Sequence, residues 1–344
     1  MRARRVTMQA PTLAALALVA GCAVEPGGGE SGPDGRGPID PSELSGSCIG
    51  EGGELLCGGP SDGTCFCDAD CEASGDCCAD KQAVCGEGDG PGPVALEVTA
   101  GGEHSCAVRP DRTVSCWGEG AGGRTAAPDG PFLEVSAGGA HACGIRADTT
   151  AACWGEMSAS PPAGSFLAIS AGGAHACGRL ADQTLACWGE GAAAPPAGAF
   201  LDVSAGVGIS CGRRADTTLA CWGAGAPTPP DGSFVDVSAG GGHACARRAD
   251  LTVACWGEDG SGQASPPAGT FLALSAGYDH TCAIRSDRTL ACWGADDRGQ
   301  ASPPAGTFLA VSAGGAHTCA LASDMRITCW GDDASAQASP PRPL

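Results

Sequence analysis

Between His104 and Trp330 the chain writes one pattern seven times: a cysteine, nine residues, then Cys-Trp-Gly. The triplets fall at Trp117, Trp154, Trp188, Trp222, Trp256, Trp293 and Trp330, at intervals of 37, 34, 34, 34, 37 and 37 residues. A fixed period of this length means a repeat architecture in which each copy is one supersecondary unit. The leading cysteines Cys106, Cys143, Cys177, Cys211, Cys245, Cys282 and Cys319 stand ten positions before Cys116, Cys153, Cys187, Cys221, Cys255, Cys292 and Cys329, which places 14 of the 23 cysteines.

The unit reads, in its second copy, from Phe132 through His141 and Cys143 to Cys153-Trp154-Gly155. Short alternating runs separated by turn residues read as strands. An aspartate recurs between the paired cysteines, at 111, 148, 182, 216, 250, 287 and 324, so each pair brackets a β-hairpin. If Cys143 lies opposite Cys153, Ile145 faces Ala151 and the loop is Ala147, Asp148 and Thr149. Directly opposed residues lie about 4.5–5.5 Å apart at Cα, within disulfide range. Such a loop favours glycine in its left-handed position, where this copy has Thr149, and a wider loop would shift the pairing. In the chain-entropy model each bridge stabilises by roughly 2–3 kcal/mol. His141, Cys143 and Ile145 point to one face, and Ala142, Gly144 and Trp154 to the other.

Gly-Gly, His, a short strand, an Asp-containing turn and Trp-Gly, present in all seven copies apart from one His, resemble the regulator of chromosome condensation repeat. The resemblance implies an all-β fold, a seven-bladed β-propeller of short repeats over 94–344 with cross-strand disulfides. It also implies that the opening strand, 94–98, completes the last blade and so removes a free edge. Compact copies ending in Gln and Pro-Ala-Gly, as at Gln263 to Gly269 and Gln300 to Gly306, look like those of bacterial β-lactamase inhibitor propellers. Inhibition is not carried over, because the residues before the histidines are small or acidic rather than aromatic anchors.

At the N-terminus Arg2, Arg4 and Arg5 precede an apolar run, Leu13 to Ala20, too short to span a bilayer. Val19-Ala20-Gly21-Cys22 resembles a bacterial lipobox. It implies a signal peptide over 1–21 and a lipid anchor on Cys22; an ordinary secretory signal is the alternative. Ala23 is not the aspartate of inner-membrane retention, so a Gram-negative host would place the protein at the outer membrane or cell surface. Either leader exports the chain to an oxidising compartment, where cysteines pair.

Residues 22–47, rich in glycine, proline and acids, read as a disordered tether reaching roughly 25–30 Å. Residues 48–85 carry Cys48, Cys57, Cys65, Cys67, Cys71, Cys77, Cys78 and Cys85, a disulfide framework for a small disulfide-rich knot. The spacing from Cys65 onward resembles the somatomedin B domain, with two departures: the wide gap from Cys48 to Cys57, and Lys81 where an aromatic is usual. Export disfavours a thiolate metal cluster there, and Asp68, Asp70 and Glu72 lack the bidentate glutamate of a calcium loop. Residues 86–93 form a linker.

A net charge of −20 excludes a nucleic-acid binder. Export excludes a cytosolic GTPase partner, whatever the repeats resemble. The six histidines His104, His141, His175, His243, His280 and His317 share one repeat position, with Ile209 in the fourth copy; spread round a ring, they read as packed blade residues and not as metal ligands. No catalytic constellation, metal site or cofactor motif stands out.

Function is then sought where copies depart from their own consensus. Two positions after the leading cysteine, Arg179, Arg213 and Arg247 replace Val108, Ile145, Ile284 and Leu321. They form a candidate anion site, with internal salt bridging as the alternative. Tyr278-Asp279, with the only tyrosine of the chain, interrupts the Gly-Gly loop of the sixth copy as a candidate contact. Acids gather after Trp-Gly, at Glu119, Glu156, Glu190, Glu258, Asp259, Asp296, Asp297, Asp332 and Asp333, and read as a solvated rim or a cation site. The chain is expected to be a lipid-anchored extracytoplasmic binding or scaffold protein whose two modules engage a protein partner. An extracellular enzyme acting at the propeller mouth and a passive envelope protein are the alternatives.

Overall fold

The computed structural model describes residues 95–342 and 344. The leader, the Cys22 anchor, the tether, the knot from Cys48 to Cys85 and the linker lie outside the described residues.

Twenty-one strands form seven three-stranded antiparallel sheets, each built from consecutive strands. The first blade is β1 (Glu97–Ala100), β2 (His104–Val108) and β3 (Val114–Gly118), and the second is β4 (Phe132–Ala137), β5 (His141–Arg146) and β6 (Ala151–Gly155). The order repeats to the seventh, β19 (Phe308–Ala313), β20 (His317–Ala322) and β21 (Ile327–Gly331). The first strand of each blade touches the first strand of the next, and β19 returns to β1. The seven blades therefore close round a central channel, with these inner strands as its wall.

Within each blade the paired cysteines are directly opposed and bridged, at Cα separations of 4.0–4.1 Å. Ile145 faces Ala151, as the three-residue loop requires. The left-handed position is filled without glycine in all seven copies, by Thr149 at φ 69° and by residues as varied as Leu251 and Met325 at 68° and 66°. The preceding aspartate compensates: Asp148 Oδ1 accepts from the Thr150 amide at 3.0 Å and hydroxyl at 2.6 Å. Six copies carry this Asp-x-Thr clamp; in the seventh Asp324 accepts from the Arg326 amide and stands 3.7 Å from the Arg326 guanidinium. A local side-chain clamp of this kind offsets the steric cost of a left-handed non-glycine residue.

The cystine face of one blade packs on the aromatic face of the next. Cys106 and Val108 meet Phe132, Val135, Ala142 and Trp154, and the ring closes where Cys319, Leu321 and Ile327 meet Ala95, Val98, Ala107 and Trp117. Phe132 and Trp154 stand edge to face at 5.8 Å.

Two rings of hydrogen bonds join the inner strands. The second residue of each Gly-Gly loop donates to the carbonyl of the first residue in the next blade: Gly102 to Gly138, Gly139 to Gly172, Gly173 to Gly206, Val207 to Gly240, Gly241 to Gly277, Tyr278 to Gly314, and Gly315 back to Gly101. One step along the strand, an alanine amide donates to the Ser or Thr hydroxyl of the preceding blade, from Ala137 on Thr99 round to Ala100 on Ser312.

Closure differs from the expectation that the opening strand completes the last blade. β1 pairs with β2 inside the first blade, and the first blade meets the segment after the last one through a loop. Trp117 Nε1 donates to the Gln337 carbonyl at 3.0 Å, and the Ser105 hydroxyl donates to the same oxygen. The same geometry accounts for the unequal periods. Loops of the 37-residue intervals return a carbonyl to the next tryptophan, Arg124 to Trp154, Gln263 to Trp293 and Gln300 to Trp330. Trp188 and Trp256 follow 34-residue intervals and have no such partner.

The first glycine of each loop is fixed by close approach. A Cβ on Gly206 would lie 2.2 Å from the Gly240 carbonyl oxygen, whereas one on Gly173 would meet only Val207, at 3.2 Å and beyond. Gly206→Ala is expected to destabilise by about 2 kcal/mol and Gly173→Ala by less than about 0.5 kcal/mol, read as denaturant midpoints of the oxidised chain. Equal costs at the two sites would contradict the ring.

Candidate functional site

The inner strands give the channel two unlike ends. At the end where they finish, the Ala-Gly-Gly segments line a shallow open bowl. Tyr278 and Val207 replace the second glycine in the sixth and fourth blades, so their amides serve the backbone ring while their side chains stay 38% and 37% exposed. Sequence reasoning found Tyr278 and missed Val207, although the two occupy one repeat position.

Each outer strand ends beside the start of its middle strand, which brings the acids after Trp-Gly to this glycine end. Glu119 bonds through its amide to the Glu103 carbonyl, and Ala295 to that of Asp279. Asp259, Asp296 and Asp333 close their own loops, each accepting from an amide five residues on and a serine hydroxyl six residues on. Arg124 and Arg298 stand 4.0 and 3.8 Å from Glu103 and Asp332.

The opposite end is apolar. Leu96, Leu133, Leu167, Leu201, Val235, Leu272 and Leu309 hold the same position at the start of the seven inner strands. In blades two to seven a bulge follows the leading phenylalanine and leaves this residue unpaired. Exposure reaches 48% at Leu167. The signal was in the sequence, since two adjacent apolar residues on a strand cannot both face one core. The arginines Arg146, Arg214, Arg248 and Arg285 stack over the phenylalanines beside this annulus, 5.1–5.5 Å from the ring centroids.

One residue further in lies a charged belt. Arg213 and Arg247 pair across strands with Asp202 and Asp236, and Arg179 with Ala168. Arg247 holds Asp236 in an ion pair, its Nε and Nη2 at 3.0 and 2.9 Å from the single oxygen Oδ2, while Oδ1 accepts from the Arg247 amide at 3.2 Å. The guanidinium Nε atoms of Arg179 and Arg213 are buried without a partner. In the first two blades the acids Glu97 and Glu134 oppose Val108 and Ile145 instead. Glu97 accepts from the Val135 amide at 3.0 Å and Glu134 from that of Ile169 at 3.3 Å. Sequence reasoning identified the arginines and missed these four acids, which emerge only when the copies are aligned on the bulge. Arg179, Arg213 and Arg247 thus lie on the middle strands beside inner-strand acids, and Tyr278 and Asp279 stand at the glycine end.

Burial, and then the Glu134 charge, pushes Glu97 up to about 8; burial likewise raises Glu134 to about 7. Burial also raises Asp202 and Asp236, opposed by Arg213 and Arg247.

The histidines line the blade interfaces. His175, His243, His280 and His317 meet Ser210, Thr281, Thr318 and Ser105 of the following blade, each at 2.8 Å. After His104 and His141 that position is Ala142 and Ala176, and neither ring has a protein hydrogen-bond partner. Ile209 faces a blade with Ala244 there, and the two share one apolar cluster. Burial lowers His104, His141, His243, His280 and His317 to about 4.

Stability should therefore peak near pH 6.5. Below the unfolded histidine value of 6.5, the unfolded chain takes up protons that the buried rings refuse, so stability falls towards pH 4. For Glu97 and Glu134 the sign reverses: their stabilisation is full below 4.5 and is lost as pH rises through 7 and 8. Glu97→Gln should flatten the alkaline limb and His141→Leu should make the acid limb shallower, in unfolding midpoints from pH 4 to 9. An alkaline limb unchanged by Glu97→Gln would refute the assignment.

Residues 234–263, 271–300 and 308–337 match the family described as Regulator of chromosome condensation (RCC1) repeat. No curated protein sequence matches the chain. Among solved structures, the entire ectodomain of the Physcomitrella patens receptor kinase CR4 is similar at 28% identity and a TM-score of 0.62, over 68% of this chain and 72% of that one. The CRINKLY WD40 ectodomain of the Arabidopsis thaliana receptor kinase ACR4 is similar at 25% identity and a TM-score of 0.62, over 73% of this chain and 98% of that one. Together with seven bridged three-stranded blades, these likenesses support an RCC1-like propeller with an extracytoplasmic location.

Proposed function

We propose that this chain is an exported, lipid-anchored binding protein whose propeller engages a protein partner at an end of its channel. One observation carries the reading. Every large apolar side chain left exposed among the described residues lies at a channel mouth: Leu96, Leu133, Leu167, Leu272 and Leu309 at one end, Val207 and Tyr278 at the other. Exposed apolar groups scattered singly need no explanation, but groups gathered round two openings mark interaction surfaces.

The disulfides and the likeness to receptor ectodomains support a site outside the cytoplasm. The Cys22 anchor and the somatomedin B-like knot over 48–85 belong to the same proposal and rest on the sequence. They add a tether and a second module, so that two weak contacts on one chain would reinforce each other.

Mature protein used as bait on envelope and extracellular fractions should retain a partner that is lost with Leu133→Asp/Leu272→Asp or with Tyr278→Ser. A clean negative in both fractions would overturn the binding function. Separately, Cys22→Ser should abolish acyl labelling and release the chain from membranes; continued membrane association would refute the anchor.

A further inference from the structure

The belt beneath the apolar annulus is incomplete in one place. In the fourth and fifth blades an inner-strand carboxylate faces an arginine of its own sheet, Asp202 with Arg213 and Asp236 with Arg247. Glu97 and Glu134 hold the same inner-strand position, yet the arginine position across from them is filled by Val108 and Ile145. The charged groups facing Glu97 and Glu134 are each other, Asp202, and Arg179 of the third blade. Each carboxyl accepts one amide, and Arg179 faces Glu134 alone, which leaves Glu97 with acceptor capacity and no cation. A buried carboxylate is held ionised only when paired.

The repeat thus specifies the missing group, a guanidinium or ammonium, one residue inside the end where the leucines stand. We infer that the annulus of Leu96, Leu133, Leu167, Leu272 and Leu309 docks a protein segment that inserts one arginine or lysine, flanked by aliphatic residues, against Glu97 and Glu134. The aliphatic neighbours cover the leucines and exclude water from the pair, which strengthens it. The chain's own segment 23–93 does not fit this chemistry, since its basic residues are Arg36 and Lys81 alone among many acids. The inference deepens the binding function proposed above and rests on it.

Synthetic heptapeptides, acetyl-Gly-Leu-Leu-X-Leu-Leu-Gly-amide with X as arginine, lysine, norleucine or glutamate, test it on the full exported chain by calorimetry. The arginine and lysine peptides should bind at least tenfold tighter than the other two. Glu97→Gln/Glu134→Gln should erase that difference while leaving norleucine binding intact, and Leu133→Asp/Leu272→Asp should remove all binding. Tyr278→Ser should change nothing, and circular dichroism of each variant checks that it folds. Absence of binding, equal binding of the four peptides, or a charge preference that survives Glu97→Gln/Glu134→Gln would overturn the site. So would a dimer that Leu133→Asp/Leu272→Asp dissociates, which would assign the annulus to self-association. A partner captured by wild-type chain and equally by the annulus and carboxyl variants would refute this site and leave the binding function standing.

Discussion

The structure depends on how closely seven backbones can approach one another round the channel. At the Gly-Gly loops the first residue of each blade sits where a Cβ would lie 2.2–2.6 Å from the carbonyl oxygen of the next blade. Only glycine permits that spacing, and the spacing is what brings each amide within reach of the neighbouring carbonyl. Once seven such bonds close on themselves, no blade can shift without breaking two of them. The Ser-to-Ala ring one step along repeats the constraint, and the buried histidines fill the interfaces behind it.

Covalent and non-covalent bonds divide the work. Every disulfide lies within a blade, joining middle to outer strand, and none crosses between blades among the described residues. The bridges hold sheets that are only three strands wide, where an isolated hairpin would be marginal. Assembly of the ring is left to packing and hydrogen bonds. With one tyrosine and seven phenylalanines in the whole chain, that packing is economical: one Trp and a cystine per interface, a Phe in six of the seven with Ala95 in the other, and alanine, serine or threonine across from the indole.

The hairpins were legible because cysteine spacing fixes register over ten residues, and local register needs no knowledge of the rest of the fold. The Asp-x-Thr clamp was visible too, although only its aspartate was read. What the sequence concealed involves partners one full repeat apart. Serine before Ala-Gly looks like a turn residue, and nothing local marks its hydroxyl as an acceptor for the next blade. Closure was misjudged for the same reason. The contact between Gln337 and Trp117 spans 220 residues, and its precedents, Gln263 with Trp293 and Gln300 with Trp330, become visible only in three dimensions. Among the candidate sites, the arginines were found by their departure from consensus. Their acids were missed because a one-residue bulge moves Glu134, Asp202 and Asp236 out of simple alternation, and Glu97 holds the same repeat position at the start of the first blade.

The bulge also explains why the two channel ends differ. A strand with strict alternation would turn the residue after phenylalanine towards a neighbouring blade, and the ring would have no room for these five leucines and Val235 between its blades. An extra residue at that point expels the leucine to the mouth and lets the following residue return to the interface. Where that following residue is alanine, as at Ala273 and Ala310, the interface stays apolar beside Ile284 and Leu321. Where it is acidic, a charge enters the wall of a narrow channel and needs a counter-charge. The third to fifth blades supply arginines for this purpose, and the first two do not. One backbone irregularity, repeated in six blades, thus generates both the exposed apolar ring and the polar belt beneath it, and the belt's uneven charge follows from which copies carry an acid where others carry alanine.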